Sequence, residues 1–142
     1  MDKNSILIDQ HSGLHVGWYF WLRVLDEVNR SARYGNPFAL LILDVEPNGH
    51  RNGHRDALTA VAASIRSTDV AGRLGERRAG VMLLEQDVVS AHAGMERITG
   101  RLLAGGGTEW RSNLYCYPSD GAAISNLLTQ GRAELEGSRQ PA

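Results

Sequence analysis

An acid at the end of a long apolar run is the first place in this sequence where chemistry is plausible. "FALLILDV" (38–45) ends in Asp44, and Glu46 follows two residues on. Carboxylates at the C-terminal end of a buried strand point into the crevice where α/β sheets tend to bind ligands, and their hard oxygens suit Mg²⁺. An ordinary strand-end acid capping a loop is the competing account. The second place is "AGRLGERRAGVMLLEQ" (71–86), whose polar tip Gly75-Glu76-Arg77-Arg78 lies between two apolar runs, the pattern of a β-hairpin with an exposed loop.

Other reactive side chains carry weaker signals. His50 and His54 are four apart, a metal spacing on a helix, but "HRNGH" reads as loop and offers no carboxylate in register. His11, His15 and His92 give no pattern. Cys116 is the only cysteine, which excludes an internal disulfide and a cysteine-based zinc site; in "LYCYP" it reads as a buried strand thiol. No nucleophile elbow, Walker loop or dinucleotide fingerprint is present.

The elements that would position these residues follow from periodicity. Residues 16–33 form an amphipathic helix with Tyr19, Leu22, Leu25 and Val28 near helical spacing, ended by "YGNP". Residues 38–45 have the length and continuous apolarity of a central strand. A Gly/Asn/His-rich loop (46–55) leads to a helix at 56–67, with Asp56 near its start, where an acid complements the dipole. Hairpin strands near 70–74 and 79–84, a helix at 87–103, a strand at 110–117, the turn "PSDG" and a helix at 122–136 weakened by Gly131 complete the order. This predicts a mixed sheet with helices packed on it. Residues 1–8 are a lead-in, 9–136 one domain, and the tail 137–142 is expected to be disordered.

Composition restricts the functional classes. The 142 residues, 42% hydrophobic and 22% charged, fit one soluble domain able to bury a core. A formal net charge of −1 provides no field to recruit nucleic acid or an anionic membrane. No apolar stretch approaches a membrane span and the N-terminus lacks a signal-peptide core, so a cytoplasmic location is expected. Lys3 is the sole lysine; the remaining basic residues are arginines, the better bidentate ligands for phosphate and carboxylate.

Four segments in order carry a resemblance. "DQHSGLHVGWYF" (9–20) is similar to the entry motif D-x-L-T-G-L-x-N-R-R-x-F of GGDEF domains, keeping Asp9, Gly13, Leu14 and Phe20. "ARYGNPFALLILDVE" (32–46) resembles the helix end and first strand with its D-x-D ending. "STDVAGRLGERRAGVMLLEQ" (67–86) resembles the signature hairpin, and "YPSDG" (117–121) the turn before the last helix. The resemblance covers nearly the whole chain. It implies a palm-like α/β (α+β) sandwich related to nucleotide cyclases, with a central mixed sheet of about five strands. It also implies a bacterial signalling module, in whose active members two GTP molecules condense to cyclic di-GMP.

In active members Mg²⁺ is held by the first D-x-D aspartate, an adjacent backbone carbonyl and the acid at the fourth signature position. Asp44 fills the first role here, but Gly75-Glu76-Arg77-Arg78-Ala79 replaces the signature and puts Arg78 where the second acid belongs. At 4 Å and an effective dielectric near 20, a guanidinium repels Mg²⁺ by about 8 kcal/mol, where a carboxylate would attract it equally. Glu76 also brings a side chain and a negative charge where phosphates approach the backbone. The guanine-reading segment is about six residues shorter than in the family; "PNGHRNGHRD" offers Asn48, Asn52 or Asp56 in similar space, none matched by motif. Loss of cyclase activity is the expectation, with Asp44, Glu46, Glu76 and Arg78 vestigial. Mg²⁺ would enter only if residual GTP binding persists through Asp44, Glu46 and Glu76.

A third family feature is an inhibitory cyclic di-GMP site, R-x-x-D, upstream of the signature. "RSTD" supplies Arg66 and Asp69, with Asp69 six positions before Gly75, and Arg97 in "MERI" matches a further family arginine. Guanidinium groups clamp phosphates or stack on guanine, and an aspartate accepts from the guanine N1 and N2 donors. A second R-x-x-D, "RVLD" (23–26), shows that the pattern alone is weak and that position gives 66–69 its weight. The expected function is therefore binding, as a cyclic di-GMP receptor through Arg66, Asp69 and Arg97 or as a regulatory module contacting a protein partner or a second copy. For the latter, Trp18 and Trp21 of "GWYFW" are the candidate interface anchors, with packing inside the domain as their other use.

Overall fold

A computed structural model describes residues 7–10, 12–45, 53–104 and 110–139, with side chains for all of these except 53–57, 104 and 134–139. The elements run α1 (Gly17–Tyr34), β1 (Phe38–Val45), α2 (Gly53–Ser64), β2 (Val70–Arg73), β3 (Arg78–Leu84), α3 (Val88–Ala104), β4 (Trp110–Tyr117) and α4 (Gly121–Arg139). The strands form one sheet in the order β2-β3-β1-β4, with every neighbouring pair antiparallel.

This corrects the expectation of a mixed sheet of about five strands: among the described residues there are four. β1-α2-β2 and β3-α3-β4 are two crossover units, and within each the two strands run in the same direction. The topology interleaves them, so β3 sits between β1 and β2, and β1 between β3 and β4. Each strand therefore hydrogen-bonds only to antiparallel neighbours, as in the split β-α-β arrangement. Among the described residues the one parallel contact is an isolated bridge between His15 and Gly72, where the His15 amide donates to the Ala71 carbonyl at 3.0 Å and the Arg73 amide to the His15 carbonyl at 2.8 Å. The chain enters α1 two residues later, which is why this contact never becomes a strand.

Alternation along β1 makes two cores. Ala39, Leu41 and Leu43 face α2 and α3 with Leu58, Val61, Val81, Leu83 and Ile98. Phe38, Leu40 and Ile42 face α1 and α4 with Phe20, Trp21, Val24, Met82 and Ile124. The result is an α/β sandwich with the sheet buried between helix pairs, which explains the unbroken apolar run of β1.

Several boundaries and faces differ from expectation. α1 buries Phe20, Trp21, Val24, Glu27 and Ser31, while Leu22 is 47% exposed. Of the anticipated 19/22/25/28 set, Leu25 and Val28 flank this core and Leu22 does not, so the buried stripe is shifted toward Phe20, Trp21 and Val24. Glycines on the opposing elements select the aromatics that enter. A Cβ on Gly72 or Gly80, cross-strand partners in the hairpin, would collide with Phe20, and one on Gly131 with the Trp21 indole. Gly131 is where α4 admits the indole of α1. α2 starts at Gly53, three residues earlier than expected, and stops at Ser64 because Asp69 folds the next four residues into a turn. α4 continues to Arg139, through the first half of the anticipated disordered tail. Nothing between Gly131 and Arg139 breaks it, and Pro141 is the first residue that cannot continue a helix.

The "YPSDG" turn earns its residues structurally. The Asp120 carboxylate accepts from the Cys116 amide at 2.8 Å, and the Ser119 hydroxyl donates to the Cys116 carbonyl at 3.1 Å, joining the end of β4 to the start of α4. Cys116 is 7% exposed, and burial together with the charge of Asp120 pushes its thiol pKa up. No described helix is long and apolar enough to cross a membrane.

Candidate functional site

β1 and β3 pair so that Asp44 lies directly opposite Arg78. Side chains of directly opposed residues share a face of the sheet, so the guanidinium reaches the carboxylate without crossing the backbone. Arg78 Nε donates to Asp44 Oδ1 at 2.7 Å, and its NH2 group lies 3.4 Å from Oδ2, a two-pronged contact. The side chains are 48% and 28% exposed, so the pair adds less than about 1 kcal/mol to stability. Its consequence is chemical. Both oxygens that a divalent cation would use face a guanidinium, and an ion binding there must break the fork and remain beside a positive charge. This donor set does not fit Mg²⁺, which demands near-ideal octahedral oxygen ligation.

Glu76 and Arg77 are exposed at the hairpin tip. The tip is closed by the Leu74 amide donating to the Arg78 carbonyl at 2.9 Å and the Arg73 guanidinium to the Gly75 carbonyl at 3.2 Å. Arg73 also ties the hairpin to the lead-in: its NH1 is 3.0 Å from Asp9 Oδ2, which also accepts from the Ser12 amide at 3.1 Å and the Ser12 hydroxyl at 2.6 Å. Burial raises the Asp9 pKa, but the Ser12 and Arg73 contacts outweigh it and hold the carboxyl below its ordinary value. Asp9 of the entry motif is thus a strut for the hairpin.

The second constellation lies at the other end of the sheet and on its other face. Arg66, Thr68, Asp69, Leu83, Gln86 and Arg97 are among the residues lining a cavity of about 190 Å³ between α3 and the α2–β2 turn. Leu83 is opposite Ala39 at the start of β1, whereas Arg78 is opposite Asp44 near its end. Five residues of strand, roughly 17 Å, separate the two sites along the sheet. The turn is built by Asp69, whose Oδ2 accepts from the Arg66 amide at 2.9 Å while its own amide donates to the Arg66 carbonyl at 3.0 Å. The spacing R-x-x-D is therefore the spacing of the turn itself, and it brings the exposed Arg66 side chain to the cavity rim.

Arg97 reaches across from α3. Its NH1 donates to the Ser64 carbonyl at 3.1 Å, satisfying a C-terminal carbonyl of α2, and its NH2 is 3.6 Å from Asp69 Oδ2. Its Nε is buried and makes no hydrogen bond. The Asp69 side chain is 6% exposed and that of Arg97 21%. An acceptor at the cavity would meet the Arg97 guanidinium and the Asp69 carboxylate, each held by the other, with the Arg66 side chain at the rim.

The sequence-predicted residues therefore divide cleanly. Arg66, Asp69 and Arg97 come together, as do Asp44 and Arg78. Trp21 is 7% exposed and packs against Gly131, so it is a core residue and not an interface anchor, whereas Trp18 is 37% exposed. Glu46, Asn48, His50 and Asn52 lie outside the described residues, as does His11. His54 and Asp56 are within α2, their side chains undescribed. His15 rests against Tyr19 with ring centroids 4.9 Å apart, and His92 is exposed on α3. Among the described residues no three His, Cys, Asp or Glu side chains cluster as a metal site would require. Sequence reasoning missed Gln86 and Ser90 on the cavity wall, for which it held no signal beyond their place after the hairpin.

No protein-family model matches the chain, and no curated protein matches it. Solved structures do. The GGDEF domain of DgcB from Caulobacter crescentus, determined in complex with c-di-GMP, superposes with a TM-score of 0.75 at 14% identity, over 98% of this chain and 90% of that one. A DGC protein from Thermotoga maritima matches at 0.67 and 17% identity, over 87% and 98%. A microbial GGDEF domain described in a novel interaction mode with cyclic di-GMP matches at 0.71 and 15%, over 93% and 94%. The fold is that of GGDEF domains, the palm-like fold of nucleotide cyclases.

Proposed function

We propose that this domain works by binding, as a cyclic di-GMP receptor through Arg66, Asp69 and Arg97, and that its signature end does not make the dinucleotide. The observation that carries this reading is the separation of the two sites. One end of the sheet has an arginine forked onto the aspartate that would hold the metal. The opposite end and face holds two arginines and an aspartate around an open cavity. Changes at Arg78 leave the second set untouched, so recognition survives where catalysis is lost. Two of the similar structures are described with c-di-GMP, which supports the choice of ligand.

The cavity of about 190 Å³ is below the 300–1,000 Å³ typical for drug-sized ligands, so it takes one guanine base while the remainder of the dinucleotide lies over the rim. Asp69 accepts from the base edge, and Arg66 at the rim is placed for a phosphate. The test pairs two assays. Calorimetry with cyclic di-GMP should give saturable binding at tens of micromolar or below, and incubation with GTP and Mg²⁺ or Mn²⁺ should yield no cyclic dinucleotide. Absence of binding ends the receptor reading; turnover abolished by Asp44→Ala ends the inactive reading.

A second reading, a surface for a protein partner or a second copy, is favoured by Trp18 and Leu22, exposed one helical turn apart on α1. A diguanylate cyclase similar in fold, SiaD from Pseudomonas aeruginosa, is described in complex with its activator SiaC. Self-association lost on Trp18→Ala would support it.

A further inference from the structure

Part of the cavity's lining comes from the short connection from β3 to α3, whose backbone is unusual. Glu85 has φ 54°, the one described non-glycine residue at positive φ. Such a conformation is uncommon for a residue with a Cβ and points to function when the surroundings hold it in place. Here they do. Asp87 caps the following helix, its carboxylate accepting from the Ser90 amide and hydroxyl, both at 2.8 Å. Between the left-handed Glu85 and the fixed Asp87, the half-buried Gln86 is turned back onto the end of β3, where its Nε2 donates to the Leu84 carbonyl at 3.3 Å. Gln86 lines the same cavity as Arg66, Asp69 and Arg97.

A primary amide has two N–H donors and a carbonyl acceptor. The long contact to Leu84 uses one donor, leaving the second N–H and Oε1 for a ligand. The cavity thus has a charged wall that accepts at Asp69, and a neutral wall with a donor at Gln86. Guanine matches that division, with N1–H and N2–H₂ donors on one edge and the O6 and N7 acceptors beside them. Adenine fails at the charged wall: its N1 lone pair would meet the Asp69 carboxylate, whereas the Gln86 amide can serve either purine through its N–H and its Oε1. We infer that Gln86 is a further binding residue of this site, its Nε2 donating to the acceptor edge of the guanine while Asp69 takes the donor edge and sets the preference for guanine. This rests on the reading of the cavity as a cyclic di-GMP site.

Titration of the full chain with cyclic di-GMP and cyclic di-AMP tests it, in wild type, Gln86→Ala, Gln86→Glu and Asp69→Ala. Wild type should prefer cyclic di-GMP. Gln86→Ala should weaken it by roughly three- to tenfold, the loss of one neutral hydrogen bond. Gln86→Glu, equal in size, replaces the donor with a charged acceptor and should lose more, with the ratio of the two affinities moving toward cyclic di-AMP. A role limited to holding the turn would weaken both dinucleotides alike and lower the Tm, so an unchanged ratio overturns the inference. Unchanged cyclic di-GMP affinity in Gln86→Glu, with binding still lost in Asp69→Ala, overturns it while leaving the site itself standing. A wild-type titration without heat for either dinucleotide overturns both.

Discussion

Arg78 Nε lies 2.7 Å from Asp44 Oδ1, in a register that sets the two residues directly opposite each other on β3 and β1. The pairing ties the strand-end acid and the hairpin tip into one feature. The guanidinium occupies the carboxylate that a divalent cation would need at this end of the sheet.

The pair predicts how metal affinity responds to substitution. Arg78→Ala removes the fork but adds no ligand and leaves Arg111, opposite Asp44 on β4, in place, and should bind Mn²⁺ scarcely better than wild type. Arg78→Glu removes one of the two arginines opposite Asp44 and adds a carboxylate there, and should raise Mn²⁺ affinity by about tenfold or more, read by calorimetry. Equal affinity in all three proteins would mean that Arg78 does not control this end of the sheet.

Packing of α1 against α4 makes a second prediction. Gly131→Ala gains about 1 kcal/mol of helix propensity but drives a methyl group into the Trp21 indole, an overpacking cost of about 1–3 kcal/mol or more. The Tm should fall by several degrees. Gly100→Ala, on an α3 position with nothing within 4 Å of the added carbon, should be stabilising by about 0.5–1 kcal/mol. Thermal melts of both variants check the contrast.

The Asp9 strut gives a pH dependence. Its carboxyl pKa is lowered in the folded state, so its stabilisation is present above the unfolded value near 4 and lost as pH falls through the lower folded value. Asp9→Asn should cost about 1–2 kcal/mol at pH 7, through weakened hydrogen bonds to Ser12 and Arg73. The Tm gap between variant and wild type should close as pH drops below about 4.

Much of this molecule is legible in its sequence, and the remainder is hidden for identifiable reasons. β1 and β4 match their expected bounds because an eight-residue apolar run and an alternating one each have a single sensible reading. The inward face of α1 was not accessible, since "GWYFWLRVL" offers several apolar stripes of nearly equal quality. The choice is made by Gly72, Gly80 and Gly131, more than fifty residues away, which leave room only for Phe20 and Trp21. Both the aspartate and the arginine at the signature end were recognisable by position, but their direct ion pair depends on strand register. Gln86 was invisible because its importance comes from the backbone of Glu85, which no residue type announces.

Cyclic di-GMP titrated into wild type, Arg66→Ala and Arg78→Ala tests the central claim most directly. Arg66→Ala should weaken binding by at least about tenfold, the loss of a charge-assisted contact, while Arg78→Ala should bind as wild type does. Binding that is insensitive to Arg66→Ala, or that falls with Arg78→Ala instead, would contradict it.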